Sequence, residues 1–199
     1  MTRALVWRFL AALVVVPTVA LSAVPATAGE LTVADTRGDL YSPEFTQTDD
    51  GQPHIRWTHA PAVRHGDIAR VTFKHLDRRV VIRSRYVDLV RGTRLYAATR
   101  FRDEDGKRAY VHVNAGKDRP GGTTALRKYR TGDRIRCSVS HRIDYATNTI
   151  TVAFPRRCIG NPRTLAFTAV TESGGASYFD SAHGDRPREL GWSRRVRRG

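Results

Sequence analysis

The two cysteines carry the most reactive side chains in this sequence, and their chemistry depends on the compartment. Cys137 and Cys158 are the only cysteines among the 199 residues. In an oxidising compartment an isolated pair most simply forms a disulfide. A zinc site needs four ligands, and two thiols without a histidine and cysteine cluster do not supply them. We therefore expect a Cys137–Cys158 disulfide in place of a catalytic or metal-binding thiol.

Aspartates gather in the first loops of the chain and could form a calcium site. Asp35, Asp39, Asp49 and Asp50 are close in sequence, and Asp180 could approach them from the last strand. Calcium takes several oxygen ligands, many of them carboxylates. Aspartate is also common in turns because it accepts local hydrogen bonds, so both interpretations stay open. We expect no cofactor other than a structural calcium ion held by Asp35, Asp39 and Asp180.

The histidines and serines show no catalytic or metal-binding pattern. No His-x-x-x-His motif falls on a predicted helix, and the chain has no Gly-x-Ser-x-Gly elbow. His75 and His141 fall on predicted inward strand faces, where a core histidine held by a hydrogen bond is the usual case. We therefore expect no enzyme. The alternative is a small hydrolase whose site assembles from distant loops around His65 and His183.

Arginine dominates the charged residues and alternates with aromatic side chains. The chain has 34 Lys and Arg against 19 Asp and Glu, and only four of the basic residues are lysine. Such charge favours anionic partners, although a GC-rich genome gives the same arginine bias without a function. Guanidinium groups hold phosphate or carboxylate in a bidentate manner, and ring faces stack on sugars or bases.

An outward strand face could combine these groups into a ligand-binding surface. The opposing interpretation is ordinary solvated charge, which any sandwich carries on its outer faces. Further outward arginines would contribute if their strands are neighbours, namely Arg83, Arg85, Arg102 and Arg142. The residues that we expect to bind a ligand are Tyr96, Arg100, Tyr110, His112, Arg134 and Arg136.

The first 28 residues have the order of a secretory signal peptide. Arg3 and Arg8 precede an apolar run that Pro17 interrupts, and the small residues of 26–28 fit a signal peptidase. A membrane anchor would need roughly 18 consecutive apolar residues. Removing the segment takes away two arginines and no acid, so the formal net charge changes from +15 to +13. We expect a secreted, extracellular protein without a transmembrane segment.

Short stretches of alternating polarity, bounded by Gly, Asp, Asn or Pro, follow the signal segment. This pattern is typical of an all-β protein. We predict a two-sheet antiparallel, jelly-roll-like β-sandwich of about nine or ten strands with one disulfide. The sandwich domain would span residues 29–185, and an Arg-rich C-terminal tail would span 186–199. Stretches with this pattern lie at 31–34, 55–59, 68–75, 80–87, 95–102, 109–114, 124–129, 134–143, 150–158, 164–171 and 177–180.

Two predicted hairpins have registers that the apolar residues determine. A loop over 104–106 pairs Phe101 with Ala109 and sets Arg100 opposite Tyr110, because a type I turn followed by a left-handed residue favours Gly third. A turn at 147–148 pairs Ile143 with Val152, His141 with Phe154, and Cys137 with Cys158. The register chosen by hydrophobicity therefore also brings the cysteines together.

The segment 152–162 (VAFPRRCIGNP) resembles one found in uncharacterised secreted β-sandwich proteins of actinobacteria. Gly66-Asp67-Ile68 at a strand start, Asp88-Leu89 after the next strand, and Cys137 as the partner cysteine fit the same group. The resemblance covers about residues 35–170. It implies an extracellular β-sandwich, loosely similar to DOMON-like and family 9 carbohydrate-binding modules. It implies no activity, because the link to sugar-binding modules is an analogy of architecture.

Together these patterns predict a secreted non-enzymatic binding module for an anionic or carbohydrate polymer of the cell envelope. There are two alternatives. One is a small secreted hydrolase, and the other is a protein–protein interaction or inhibitory domain. No nucleic-acid recognition motif accompanies the positive charge, so we expect no specific nucleic-acid partner.

Overall fold

The computed structural model describes residues 29–48, 50–175, 177–183 and 191–199. The predicted signal peptide (1–28), Asp49 and the predicted domain boundary at residue 185 lie outside the described residues. Among the described residues no helix has the length and apolarity needed to cross a membrane.

The described part of the chain forms thirteen strands and one 3₁₀ turn, Arg156–Ile159. Apolar residues alternate with polar ones along most strands, which buries one side of each. In chain order the strands are β1 Glu30–Ala34, β2 Tyr41–Gln47, β3 Pro53–His59, β4 Ile68–His75, β5 Arg79–Tyr86, β6 Leu95–Asp103, β7 Arg108–Ala115, β8 Thr123–Lys128, β9 Ser140–Asp144, β10 Thr149–Pro155, β11 Thr164–Ser173, β12 Tyr178–Ser181 and β13 Val196–Arg197.

Two antiparallel sheets pack face to face, as the sequence predicts. One has the order β1-β4-β5-β10-β9, and the other has the order β3-β2-β12-β11-β6-β7-β8 with β13 also paired to β11. Aromatic pairs join the sheets across the core: Phe73 stacks on Phe167 at 4.6 Å between ring centroids, and Phe101 stacks on Phe154 at 5.5 Å. The all-β sandwich fold is confirmed.

The hairpin of β6 and β7 has the predicted register. Phe101 lies opposite Ala109, and Arg100 lies opposite Tyr110. Gly106 has a φ of 80° in the loop, which is the left-handed conformation that the prediction requires of it. The register holds because every inward position of both strands carries a residue that the core can bury.

The hairpin of β9 and β10 has a different register from the predicted one. Ile150 lies opposite Ile143, and Val152 lies opposite His141, so the pairing is shifted by two residues. The connection 145–148 is longer than the predicted turn and ends at Asn148, whose φ is 51°. Because strand side chains repeat every two residues, the shift leaves the same residues facing the core.

The predicted strand 134–143 is also wrong in its first half. Arg134 pairs with Arg127 at the end of β8, and the Ile135 N–H donates to the Leu126 carbonyl at 2.8 Å. The chain therefore leaves the eight-stranded sheet at residue 135 and reaches the edge of the other sheet at β9. Cys137 lies on this crossing segment. Its disulfide with Cys158 is confirmed, with a Cα–Cα distance of 6.0 Å.

Two strands, β2 and β13, were not predicted from the sequence. The described end of the chain, residues 191–199, packs on the sandwich where a separate tail was predicted. Val196 is 4% exposed within the core and lies opposite Leu165. The Ser193 N–H donates to the Phe167 carbonyl at 2.8 Å, and the Gly199 N–H donates to the His75 carbonyl at 3.1 Å. One buried valine and these backbone bonds hold the arginine-rich segment in place.

Candidate functional site

A row of basic side chains crosses the outer face of the eight-stranded sheet. Arg100 on β6 lies opposite Tyr110 on β7, Tyr110 lies opposite Arg127 on β8, and Arg127 lies opposite Arg134. Directly opposite residues in antiparallel pairs project to the same side of the sheet. Three guanidinium groups and one phenol therefore form a single line across four neighbouring chain segments.

Aromatic rings lie beside this row. The ring of His112 is 5.3 Å from that of Tyr96 and 5.8 Å from that of Tyr110, measured between centroids. All three rings are partly exposed. Four of the residues that the sequence predicts as ligand-binding, Tyr96, Arg100, Tyr110 and His112, are therefore neighbours on one surface.

A chain of cation–π contacts continues the surface toward the other end of the strands. The guanidinium of Arg102 lies 5.0 Å from the Trp192 ring, and that of Arg108 lies 5.8 Å from the same ring. The guanidinium groups of Arg108 and Arg100 lie over the Tyr129 ring, 5.7 Å and 5.6 Å from its centroid. Such stacking orients each guanidinium plane against a ring and leaves its N–H groups directed away from the ring.

We call this surface the basic face. It comprises the guanidinium groups of the transverse row and of the cation–π chain, together with the rings that contact them. Its members are Tyr96, Arg100, Arg102, Arg108, Tyr110, His112, Arg127, Tyr129, Arg134 and Trp192.

The arginines of the basic face have no acidic partner within the described part of the chain. All five salt bridges there involve other cations. Arg127 instead donates to the Gly132 carbonyl at 2.7 Å. In a folded protein, an arginine without an ion pair keeps its fork of donors available to a phosphate or carboxylate ligand.

Tyr96 and His112 of the basic face are neutral near pH 7. Burial, followed by the nearby Tyr110 and Glu172, raises the pKa of Tyr96 to about 12. Burial and the positive charge of Arg127 lower the pKa of His112. The phenol of Tyr96 therefore keeps its proton and can donate a hydrogen bond, and His112 adds no charge. Positive charge on this surface comes from arginine alone.

A cleft of about 630 Å³ adjoins the basic face where β7 begins and β8 ends. Its walls include Arg108 and Tyr129 of the basic face. Lys107, Lys128 and Arg130 add three cations, and Lys107 pairs with Asp105 at 3.5 Å in an exposed position. The cleft extends the positive surface around the edge of the sheet.

The remaining predicted arginines divide between two surfaces. Arg136 is exposed two residues beyond Arg134 on the segment that leaves the sheet. Arg83 and Arg85 lie on β5, in the five-stranded sheet, and point outward from the opposite side of the sandwich. Arg142 lies on β9 in that same sheet and pairs with Asp144 at 3.2 Å. The expectation that these three could join the ligand face is wrong, because the two sheets turn their outer faces in opposite directions.

Several members of the basic face were not predicted. Arg127 and Tyr129 follow the alternation of the predicted strand at 124–129, so their side could have been deduced once β8 was paired with β7. Arg108 lies opposite Arg102 by the predicted register. Trp192 could not have been found, because its position depends on the packing of the chain end.

The predicted calcium ligands also come together. Asp35, Asp39 and Asp180 each place a carboxylate oxygen within 4.8 Å of the others. Asp35 follows β1, Asp39 precedes β2, and Asp180 lies on β12. Asp50 lies instead in the exposed turn before β3, where its carboxylate accepts hydrogen bonds from Thr48 Oγ1 and the Gln52 N–H.

The alternative hydrolase residues are not brought together by any contact of the described residues. His65 Nδ1 accepts a hydrogen bond from the Val90 N–H at 3.0 Å. The His183 ring lies 6.0 Å from the Phe73 ring, and burial lowers its pKa. His75 is fully buried, with Nδ1 at 3.2 Å from the Val196 carbonyl oxygen, as predicted for a core histidine.

A scan of protein-family models and a search of curated proteins gave no match to this sequence. We therefore infer the function from the arrangement of side chains on the sandwich.

Proposed function

We propose that this protein is a secreted, non-enzymatic binding domain for an anionic polymer of the cell envelope, and that the polymer binds across the basic face. The observation that carries the proposal is the transverse row of Arg100, Arg127 and Arg134, which lies beside stacked rings and forms no ion pair with any described residue. Phosphate or carboxylate groups along a polymer are the ligands that such guanidinium groups recognise.

The dimensions of the row favour a polymer over a single small anion. Neighbouring strands lie about 4.8 Å apart, so Arg100 and Arg134, three steps apart, are separated by about 14 Å. A lone phosphate contacts one or two guanidinium groups, whereas an extended chain contacts the whole row. The exposed parts of Tyr96, Tyr110 and His112 offer ring faces for sugar units between the charges.

Secretion is part of this proposal. The disulfide between Cys137 and Cys158 fits an oxidising compartment, and the first 28 residues have the pattern of a signal peptide. The resemblance to secreted actinobacterial sandwiches, and through them to carbohydrate-binding modules, points in the same direction. A neutral polysaccharide is the main competing ligand, and the experiment below separates the two.

The test compares immobilised poly(glycerol phosphate) teichoic acid, peptidoglycan and a neutral glucan as ligands for the secreted protein. We expect retention on the two anionic polymers and little on the glucan. The variant Arg100→Gln/Arg127→Gln should lose most of the retention. The control Arg83→Gln/Arg85→Gln removes the same charge from the opposite side of the sandwich. This control should be retained on the anionic polymers as strongly as the wild type. Equal loss in both variants, or preferential binding to the glucan, would contradict the proposal.

A further inference from the structure

Four acidic side chains from separate parts of the chain meet at one end of the sandwich. Asp35, Asp39 and Asp180 bring carboxylate oxygens within 4.8 Å of one another. Asp67, at the start of β4, accepts the Gly38 N–H at 2.7 Å through Oδ2. The site therefore joins the loop between β1 and β2 to both sheets. Two of the four side chains are buried, because Asp180 is 2% exposed and Asp67 is 1% exposed.

The charges in this cluster oppose one another. The carboxylate oxygens of Asp35, Asp39 and Asp180 lie within 4.8 Å of one another, so the ionised groups repel one another unless a cation lies between them. Among the described residues no salt bridge reaches Asp35 or Asp180.

A buried polar atom beside the cluster is a separate sign of a ligand. Asp67 is 1% exposed, and its Oδ1 has no hydrogen-bond partner among the described residues. Two hydrogen bonds place Asp67 beside the cluster: its Oδ2 accepts the Gly38 N–H, and the N–H of the next residue, Ile68, donates to Asp180. Buried polar atoms are normally satisfied, and a bound cation would satisfy this oxygen.

We propose that Asp35, Asp39 and Asp180 bind one calcium ion, with Asp67 positioned to complete the acidic shell. Calcium accepts six to eight oxygen ligands in flexible geometry, which suits carboxylates from several loops. The N–H groups of Ile68 and Ser181 each donate to Asp180 at 2.6 Å, and these bonds fix the orientation of its carboxylate. The bound ion would connect the β1–β2 loop to β12 and so join the two sheets.

This inference is independent of the proposed polymer binding, since the cluster and the basic face share no residue. The first measurement is isothermal titration of calcium into the full secreted protein after EDTA treatment and dialysis. We expect saturable binding of one ion per chain. The melting temperature should rise by about 5 °C or more at one hundred times the dissociation constant. No calcium binding, or binding without a thermal shift, would overturn the proposal.

Variants separate the site from general effects of charge. Asp35→Asn and Asp180→Asn should each weaken calcium binding by tenfold or more and abolish most of the thermal shift. Asp35→Asn is the decisive variant, because its side chain is partly exposed and the substitution relieves repulsion in the calcium-free protein. It should fold and be at least as stable as the wild type in EDTA. Wild-type calcium affinity in folded Asp35→Asn would overturn the assignment.

The matched control is Asp77→Asn, which removes an exposed acid that pairs with Arg198 at 3.7 Å. It should keep full calcium binding and the full thermal shift. A parallel titration with magnesium provides the second comparison. Magnesium requires a tighter octahedral shell, so we expect weaker binding than calcium, and tighter magnesium binding would contradict the calcium assignment.

Discussion

The dependence of polymer binding on salt offers the most quantitative test of the basic face. Each guanidinium that neutralises a phosphate releases condensed counterions, which lowers the logarithm of affinity by about 0.7 per tenfold rise in salt for a single-stranded polyanion. The basic face presents five arginines, Arg100, Arg102, Arg108, Arg127 and Arg134. If all five contact the polymer, the slope should be about −3.5.

The double substitution Arg100→Gln/Arg127→Gln removes two of these contacts. The slope should then fall in magnitude to about −2.1, and the affinity at about 0.1 M salt should drop roughly 25-fold. The difference between variant and wild type should nearly disappear at about 1 M salt. The measurement is fluorescence anisotropy of a labelled teichoic acid fragment over a salt series.

The control Arg83→Gln/Arg85→Gln carries the same change in net charge on the other sheet. It should keep a slope near that of the wild type, because long-range attraction is screened beyond a Debye length of about 10 Å at 0.1 M salt. Identical slopes for the wild type and the Arg100/Arg127 variant would show that these two arginines do not contact the polymer. So would equal losses of affinity in the two double variants.

Three further predictions concern stability, each measured by urea or thermal unfolding. Replacing Cys137 and Cys158 by alanine should lower the free energy of unfolding by about 3 kcal/mol on the chain-entropy model, because the disulfide closes a loop with a sequence separation of 21. Val196→Ala should cost about 1 to 2.5 kcal/mol, whereas the control Val90→Ala, at a 45% exposed position, should cost much less. In EDTA the folded protein keeps a proton on Asp35 up to its raised pKa of about 8, whereas the unfolded chain releases that proton near the ordinary pKa of 3.8. Stability should therefore fall as the pH rises from about 4 to about 8, and Asp35→Asn should show a smaller fall. An equal fall would contradict the raised pKa of Asp35.

The parts of the fold predicted from the sequence are those in which local patterns act alone. The register of β6 and β7 follows from apolar residues and one threonine at the inward positions that the hairpin pairs, and from Gly106 in the loop. The pairing of Cys137 with Cys158 was predicted correctly even though the assumed register was wrong by two residues. The disulfide connects a crossing segment to the 3₁₀ turn, so it does not depend on the pairing of β9 with β10.

Other features depend on tertiary contacts that the local pattern does not encode. Val196 is the one apolar residue in a run of arginines, and only the groove beside β11 makes it part of the core. Arg134 was predicted to begin the strand 134–143, but it pairs with Arg127 of β8 in the other sheet. This difference likewise depends on the order of strands in the sheets. Alternation identifies which side of a strand a residue occupies, but it does not say which sheet the strand joins.

The same limit explains what was found and missed at the candidate site. Tyr96, Arg100, Tyr110 and His112 belong to a single hairpin, so their proximity follows from one register. Arg83 and Arg85 also point outward, yet they lie on the other sheet because β5 pairs with β4 and β10. The acidic cluster was predicted by composition, and its closeness in space arises from long-range packing between β1, β2 and β12.

Binding of the polymer across the outer face of the eight-stranded sheet can be observed residue by residue, by titrating a teichoic acid fragment into isotopically labelled protein and recording NMR spectra. We expect saturable shifts centred on Arg100, Tyr110 and Arg127, including the guanidinium Nε signals, with Arg83 and Arg85 unchanged. Shifts centred on Arg83 and Arg85, or no saturable shifts on either face, would contradict binding across this face.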